Sequence, residues 1–279
     1  MRFLVVIVFG DCRTTLGITR DAVAVIHVNP LVFSLLTNWG VRARLGCTPQ
    51  ALVESAIREG RRKLLEHESL CLCEYYGIPV AKYGLARSST EAVEIAKKIG
   101  FPVVMKVVSP DTLHKSDVGG VALGVRTFEE VQEKYTSIIR GVMLRAPGAR
   151  VHGVLVQEML PRGLEVIVGA TRDPYFGPVV MLGIGGVFVE VLKDVSFRVA
   201  PLTLVDAEEM VKELKGYRLF KGFRGEGPRD EAAVVDVVLR VSELITELDE
   251  VAEVDLNPVI VFEERHGAKV ADARFMLRG

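Results

Sequence analysis

Hydrophobic residues follow two alternating patterns along the chain from residue 48 onward. Apolar positions spaced three and four apart predict amphipathic helices, and short uninterrupted apolar runs predict buried strands. The first pattern predicts helices over residues 48–65, 66–76, 88–99, 127–142, 206–215 and 230–248. The second predicts strands over residues 103–108, 153–159, 164–170, 178–182, 187–193, 251–256, 259–262 and 268–273.

Start and stop signals support the predicted helices. Thr48 precedes a proline, which is typical of an N-cap followed by the first helical position. Ser88 and Thr127 each stand three residues before a glutamate, the spacing of a capping box. Gly77 and Gly100 are expected to end the helices that precede them.

Residues 1–47 differ from the rest of the chain. Apolar runs cover residues 3–9 and 22–28, but the connections between them carry no clear cap signals. This segment is an extra strand pair, an extension of uncertain order, or the product of a start codon placed too early. We favour the extension.

Beyond residue 47, helices and strands mix without the regular alternation of a doubly wound parallel sheet. This arrangement predicts an α+β chain of two lobes. We place the N-terminal lobe, with its preceding helices, at residues 48–158 and the C-terminal lobe at residues 159–279.

Composition is that of a soluble enzyme, with 49% hydrophobic and 25% charged residues. A net charge of −1 gives no general reason to expect nucleic-acid or membrane binding. The spacing of Cys71 and Cys73 fits neither a zinc site nor a redox motif, so we expect packed thiols in a reducing cytoplasm. Few Asn and Gln beside many Glu, Lys and Arg are typical of a thermophile.

The segment from Lys106 to Gly120 carries the most informative chemistry. Lys106 lies inside an apolar strand, where an ammonium group needs an anionic partner such as phosphate. The following loop ends in Gly119 and Gly120, where backbone amides can approach phosphate oxygens. His114 lies within that loop, and a neutral imidazole can carry a phosphoryl group. The alternative is a histidine that caps a turn.

Two groups of residues indicate a nucleotide-binding site. Backbone groups at the strand exit around Glu158 and Met159 can read an adenine edge, and Glu165 can accept the ribose hydroxyls. Near the C-terminus, Asp255 and Asn257 lie on one face of a strand, with a further aspartate one hairpin away. The three oxygen ligands suited to Mg²⁺ are Asp255, Asn257 and Asp272. The alternatives are a solvated glutamate and an Asn-Pro turn with two surface aspartates.

Two glycine-rich loops, at residues 182–186 and 221–228, fit no standard phosphate-binding motif. The second contains basic residues and either closes over an anion or links two helices. Charged residues without an assigned role near these loops are Glu190, Asp194, Arg198 and Arg224.

Together these motifs resemble the β subunit of ADP-forming acetyl-CoA synthetase (acetate–CoA ligase), an ATP-grasp relative of succinyl-CoA synthetase. The resemblance runs from about Glu66 to the end of the chain. It rests on residues 76–79, 101–106, 114–121, 165–169, 172–178, 188–198 and 255–258, in that order.

The resemblance implies an ATP-grasp fold with the nucleotide between two lobes, and a phosphoryl relay. An α subunit with the CoA-binding domain would form acyl phosphate and phosphorylate its own histidine. His114 would take that group and pass it to ADP, making ATP. The implied contacts are Lys106, Gly119 and Gly120 with phosphate, Glu158 and Met159 with adenine, Glu165 with ribose, and Asp255, Asn257 and Asp272 with Mg²⁺. The implied assembly is an α₂β₂ heterotetramer.

Three other functions compete. An ATP-grasp carboxylate ligase would use an acyl phosphate directly and would need no histidine. A nucleotide-sensing subunit would not need the metal set. A succinate-specific CoA ligase would share the relay and differ in the acyl group, whose choice we expect to lie in the α subunit.

Overall fold

A computed structural model describes two compact units, residues 1–46 and 47–279. In the first unit, strands β1 (Val5–Gly10), β2 (Arg13–Ile18) and β3 (Ile26–Val28) form an antiparallel sheet in sequence order. His114 and the predicted strand at residues 187–192 lie outside the described residues. The described residues are 5–10, 13–18, 26–28, 48–112, 115–186, 193–222, 225 and 227–278.

The second unit opens with helices α1 (Pro49–Arg58) and α2 (Glu66–Tyr75). The Thr48 hydroxyl accepts the Ala51 N–H at 3.2 Å, which confirms the predicted N-cap. The expected continuation of α1 to residue 65 is wrong. Gly60 takes a left-handed φ of +68° that ends the helix, and the chain then runs along the edge of the final strand.

A four-stranded antiparallel sheet forms the smaller lobe. Helices α3 (Ser89–Ile99) and α4 (Phe128–Arg145) pack against it and start at the predicted capping boxes. Because their apolar stripes face the sheet, this lobe has its own core. Its strands are β4 (Tyr83–Ala86), β5 (Val103–Val108), β6 (Val121–Val125) and β7 (Gly153–Glu158). They lie in the order β4, β7, β5, β6 across the sheet.

A six-stranded antiparallel sheet forms the larger lobe. Its strands are β8 (Leu164–Asp173), β9 (Gly177–Ile184), β10 (Val195–Val199), β11 (Val251–Val261), β12 (Ala268–Val270) and β13 (Ala273–Leu277). They lie in the order β10, β9, β8, β11, β12, with β13 also paired to β11. Helices α5 (Leu204–Glu213) and α6 (Glu231–Glu247), with a 3₁₀ helix at Lys215–Lys221, cover one face. The two antiparallel sheets confirm the α+β class.

The apolar side chains of α1 and α2 pack into the core of the larger sheet. The expected lobe boundary grouped these helices with the smaller lobe. Leu64 explains the difference, because its N–H donates to the Phe275 carbonyl of β13 at 3.0 Å and ties the segment between the two helices to the larger sheet.

Strand β11 is continuous where we expected two separate runs. Pro258 lies between the two predicted runs and cannot donate a ladder hydrogen bond. The pairing with β8 shifts register between Leu256 and Val259, and this bulge lets the strand pass through the proline. Strands β4, β6 and β10 had not been predicted, and the single run expected at residues 268–273 is divided between β12 and β13.

Cys73 is a buried free thiol, as expected. Cys71 is disulfide-bonded, so the prediction that both cysteines are packed thiols was wrong for this residue. Among the helices that the structure describes, none combines the length and apolar character that crossing a bilayer requires.

Candidate functional site

A cavity of about 610 Å³ opens where β5 and the loop after it face β11, β13 and the start of α2. Four of the predicted site residues line it, one from the smaller lobe and three from the larger. They are Lys106, Asp255, Asn257 and Asp272. The charged lining residues that sequence reasoning had not assigned are Lys63, Glu66, Lys115, Asp117 and Arg274.

Lys106 has the partner that its position in a buried strand requires. Its Nζ donates to Glu66 Oε1 at 2.6 Å, to the Ala271 carbonyl at 3.1 Å and to Asp272 Oδ2 at 3.5 Å. Burial disfavours the charged ammonium, but the charges of Glu66 and Asp272 outweigh it and raise the pKa of Lys106. The lysine therefore remains protonated and points into the cavity.

Glu66 connects two lysines. It is the first residue of α2 and is only 7% exposed, and its carboxylate also forms an ion pair with Lys115. Burial alone would raise its pKa, but the charges of Lys106 and Lys115 lower it. The residue was missed because a glutamate in the first turn of a helix ordinarily complements the helix dipole.

The predicted metal ligands meet at the junction of β11 and β13. The Asn257 N–H donates to the Asp272 carbonyl at 3.1 Å, so these two residues are neighbours. Asp255 lies two positions away on β11, and its Oδ2 accepts from Arg274 at 2.8 Å. Their oxygen donors are the type that Mg²⁺ prefers.

Asp272 lies beside Lys106 and Glu66 in the cavity. Partial burial, followed by the negative charge of Glu66, raises the pKa of its carboxyl group, although 40% of its side chain remains exposed. Within the described residues, no three His, Cys, Asp or Glu side chains form a group that could hold a metal ion. The predicted set contains two carboxylates and takes its third oxygen from Asn257.

The loop after β5 is built by its own hydrogen bonds. The Gly119 N–H donates to the Ser116 carbonyl at 3.0 Å, and the Gly120 N–H donates to the Lys115 carbonyl at 2.7 Å. Both amides that we expected at a phosphate are thus engaged within the loop. Gly120 is also required by packing, since a Cβ there would lie 2.5 Å from Val107 Cγ1.

The residues predicted to hold adenine lie at the end of β7. The Glu158 carboxylate accepts from Lys269 Nζ at 2.9 Å and from the Lys82 N–H at 3.0 Å. The Met159 N–H donates to the Pro102 carbonyl at 3.2 Å, while the Met159 side chain is exposed. This strand exit therefore presents an apolar side chain beside a charged pair, and the Met159 amide has an internal partner.

One sheet face connects the two predicted halves of the site. Glu165 of β8 and Lys269 of β12 pair with the same residue of β11, so both point to one face. Gly169, four residues further along β8, pairs with Asp255. The rise along a strand therefore places Glu165 and Gly169 about 13 Å apart on β8. Among the described residues, helices α5 and α6 pack on the opposite face, and the apolar part of this face lines a second pocket that also reaches Asp255 and Asn257.

Three charged residues of the remaining motifs have structural roles. Asp194 accepts the Lys215 and Gly216 N–H groups, each at 2.7 Å, and so caps the 3₁₀ helix. Arg172 donates to the carbonyls of Ile245 and Leu248 at the end of α6 and of Val251 at the start of β11. Arg198 pairs with Glu213 of α5 at 2.6 Å. Glu190 and Arg224 lie outside the described residues.

Comparison with known proteins identifies the domain. The family model of an ATP-grasp domain matches residues 55–277. Acetate–CoA ligase [ADP-forming] I subunit beta of Pyrococcus furiosus is 47% identical over 226 residues, which are 81% of this chain and 96% of that protein. Acetate–CoA ligase [ADP-forming] I of Archaeoglobus fulgidus is 52% identical over 228 residues, 82% of this chain and 33% of that protein. This chain therefore spans about a third of the Archaeoglobus relative.

A solved structure shares the architecture. It is the dinucleotide-forming acetyl-coenzyme A synthetase 1 of Ca. Korarchaeum cryptofilum with coenzyme A and Mg-AMPPCP, its phosphohistidine segment pointing towards the nucleotide binding site. The TM-score is 0.74 at 48% identity, covering 83% of this chain and all of that chain (100%). The agreement extends over both lobes.

Proposed function

We propose that this chain, which belongs to the ATP-grasp family, is the nucleotide-binding subunit of an ADP-forming acetate–CoA ligase. In this role His114 accepts a phosphoryl group from an α subunit and transfers it to ADP. The observation that carries the proposal is the meeting of Lys106, Lys115 and the Asp255, Asn257 and Asp272 set in one cavity, next to the loop that contains His114.

The cavity has the charge pattern that phosphoryl transfer requires. Such reactions depend mainly on positioning and on neutralising the charge of the phosphate oxygens. Lys106 and Lys115 supply fixed ammonium groups from the smaller lobe. Asp255, Asn257 and Asp272 would hold Mg²⁺, which when bound neutralises further phosphate charge.

The relay consists of two displacements at phosphorus. His114 attacks the phosphohistidine of the α subunit, so one N–P bond forms while another breaks. A terminal oxygen of ADP then attacks the same phosphorus, and the imidazole leaves as ATP forms. A neutral imidazole serves as both nucleophile and leaving group.

The nucleotide lies along the open face of the larger sheet in this proposal. Glu165 accepts the ribose hydroxyls, and adenine contacts the strand exit at Glu158 and Met159. Because the Met159 amide already donates to Pro102, adenine is recognised by the exposed methionine side chain and by neighbouring carbonyls. The diphosphate then reaches the cavity about 13 Å away along β8.

An α subunit is the implied partner, and α₂β₂ the proposed assembly. The Pyrococcus relative is called subunit beta and is almost fully covered by this chain. The Archaeoglobus relative carries about two thirds of its length beyond the matched part. We propose that a separate α subunit supplies the CoA-binding domain and the first histidine, in the cytoplasm.

Co-expression with the α subunit tests the proposal. The complex should form ATP from ADP, phosphate and acetyl-CoA, and His114→Ala should abolish this activity while ADP binding persists. His266→Ala, an exposed histidine in the β11–β12 turn, is the matched control and should retain activity. Full turnover by the His114→Ala complex would refute the relay.

A direct carboxylate ligase would give a different result. Such an enzyme forms its acyl phosphate on the substrate, so it would remain active without His114. Turnover with free carboxylate and ATP in the His114→Ala variant would therefore favour that alternative.

A further inference from the structure

We infer that Glu66 is a positioning residue that occupies the place of a phosphate, holding Lys106 and Lys115 in the cavity until phosphate oxygens replace it. This inference rests on the proposed function, because it assumes that the cavity receives a phosphoryl group. It adds to that function a residue with no contact to the reacting atoms.

The geometry is that of a bridging anion. One carboxylate oxygen of Glu66 accepts from Lys106 at 2.6 Å, and the other accepts from Lys115. The two ammonium groups come from different parts of the smaller lobe, one from β5 and one from the loop after it. A phosphate between these lysines would present the same arrangement of two oxygens to two cations.

Glu66 itself belongs to the larger lobe. Leu65, which precedes Glu66, and Leu70, four residues further along α2, are buried in the core of the larger sheet. The carboxylate therefore cannot follow the lysines if they move. Its two ion pairs link the lobes at the edge of the cavity.

The Lys115 contact also fixes the segment that follows His114. The Lys115 carbonyl accepts the Gly120 N–H, and the Gly120 carbonyl accepts the Val107 N–H, each at 2.7 Å. Anchoring Lys115 therefore anchors residues 115–120 against β5. When phosphate oxygens replace Glu66, this segment loses its attachment to the larger lobe.

Glu68 provides a matched control on the same helix. It is 9% exposed, and Arg61 donates to its two oxygens at 2.7 and 2.9 Å. Neither Glu68 nor Arg61 lines the cavity. Replacing Glu68 therefore measures the effect of removing a buried ion pair from α2 that lies outside the cavity.

The test is the binding of inorganic phosphate to the full chain, measured by calorimetry. Glu66→Gln removes the internal competitor and leaves both lysines charged, so phosphate should bind about tenfold more tightly, which corresponds to about 1.4 kcal/mol. Glu68→Gln should leave phosphate binding unchanged. If Glu66 only stabilised the fold, Glu66→Gln would loosen the cavity and weaken phosphate binding. Unchanged or weaker binding in Glu66→Gln overturns the inference.

Amide hydrogen exchange gives a second readout that does not require the Glu66 variant to fold. Lys115→Met breaks one ion pair at a side chain that is 23% exposed, and residues 115–120 should exchange at least about tenfold faster while the amides of β5 that pair with β7 are unaffected. Unchanged exchange in that segment would contradict the anchoring role. Neither measurement uses the α subunit or acetyl-CoA, so failure of the relay and failure of this inference are distinguishable.

Discussion

Replacing Lys106 by methionine tests the balance of charges in the cavity. Methionine keeps most of the side-chain volume, so the change chiefly removes the ammonium group. Glu66, whose side chain is 4% exposed, then depends on Lys115 alone, and Asp272 loses its nearest cation. Removing one partner of a buried ion pair costs about 3–5 kcal/mol of stability. Because Lys115 still pairs with Glu66, we expect a loss at the lower end of that range, about 3 kcal/mol.

The loss should depend on pH with a definite sign. The lowered pKa of Glu66 means that its contribution to stability is present above its unfolded pKa and disappears as pH falls through the folded value. The raised pKa of Lys106 means that its contribution is present below its unfolded pKa and disappears as pH rises through the folded value. The wild type and the variant should therefore differ most near neutral pH.

Thermal unfolding measures the effect. A loss of about 3 kcal/mol lowers Tm by roughly 6–12 °C in a chain of this size. At about pH 3, below the glutamate reference pKa of about 4.3, the difference in Tm between the wild type and Lys106→Met should become smaller. Lys269→Met, which breaks the partly exposed pair with Glu158, is the control and should cost about 0–1 kcal/mol. A loss below about 1 kcal/mol for Lys106→Met would refute the charge argument.

Three further changes have expected outcomes. Gly120→Ala places a Cβ 2.5 Å from Val107 Cγ1, so it should cost about 1–3 kcal/mol in urea unfolding, and a neutral result would contradict the packing argument. Asp255→Ala should weaken binding of Mg²⁺-ADP in a titration, whereas equal affinity would remove this residue from the metal set. Arg172→Met removes the side-chain donor from the carbonyls of Ile245 and Leu248 at the end of α6 and of Val251 at the start of β11, and we expect Tm to fall by several degrees, with little effect on ADP affinity.

Local signals predicted the starts of several helices and the neighbouring positions of the acidic set. Ser88 and Thr127 cap their helices as the capping-box spacing indicated, because each hydroxyl accepts an N–H three residues further on. Asp255 and Asn257 line the same cavity as Asp272, which follows from two-residue alternation on β11 and a short return of the chain. These features depend on residues close in sequence or on one strand pair.

Contacts distant in sequence were not predictable in the same way. The buried lysine of β5 indicated an anionic partner, but nothing in the sequence identified Glu66, which lies forty residues away. The length of α1 was overestimated because the segment after Gly60 pairs with β13, although Gly60 itself was a local signal for the end of the helix. The position of Pro258 within a strand was missed because its bulge arises from pairing with β8.

Radiolabel transfer tests the central claim most directly. The chain is incubated with Mg²⁺ and ATP labelled at the γ-phosphate, without the α subunit. The account predicts label on the protein that survives alkali, is released by acid, and is absent from His114→Ala. Acid-stable label, or label that persists in His114→Ala, would contradict it.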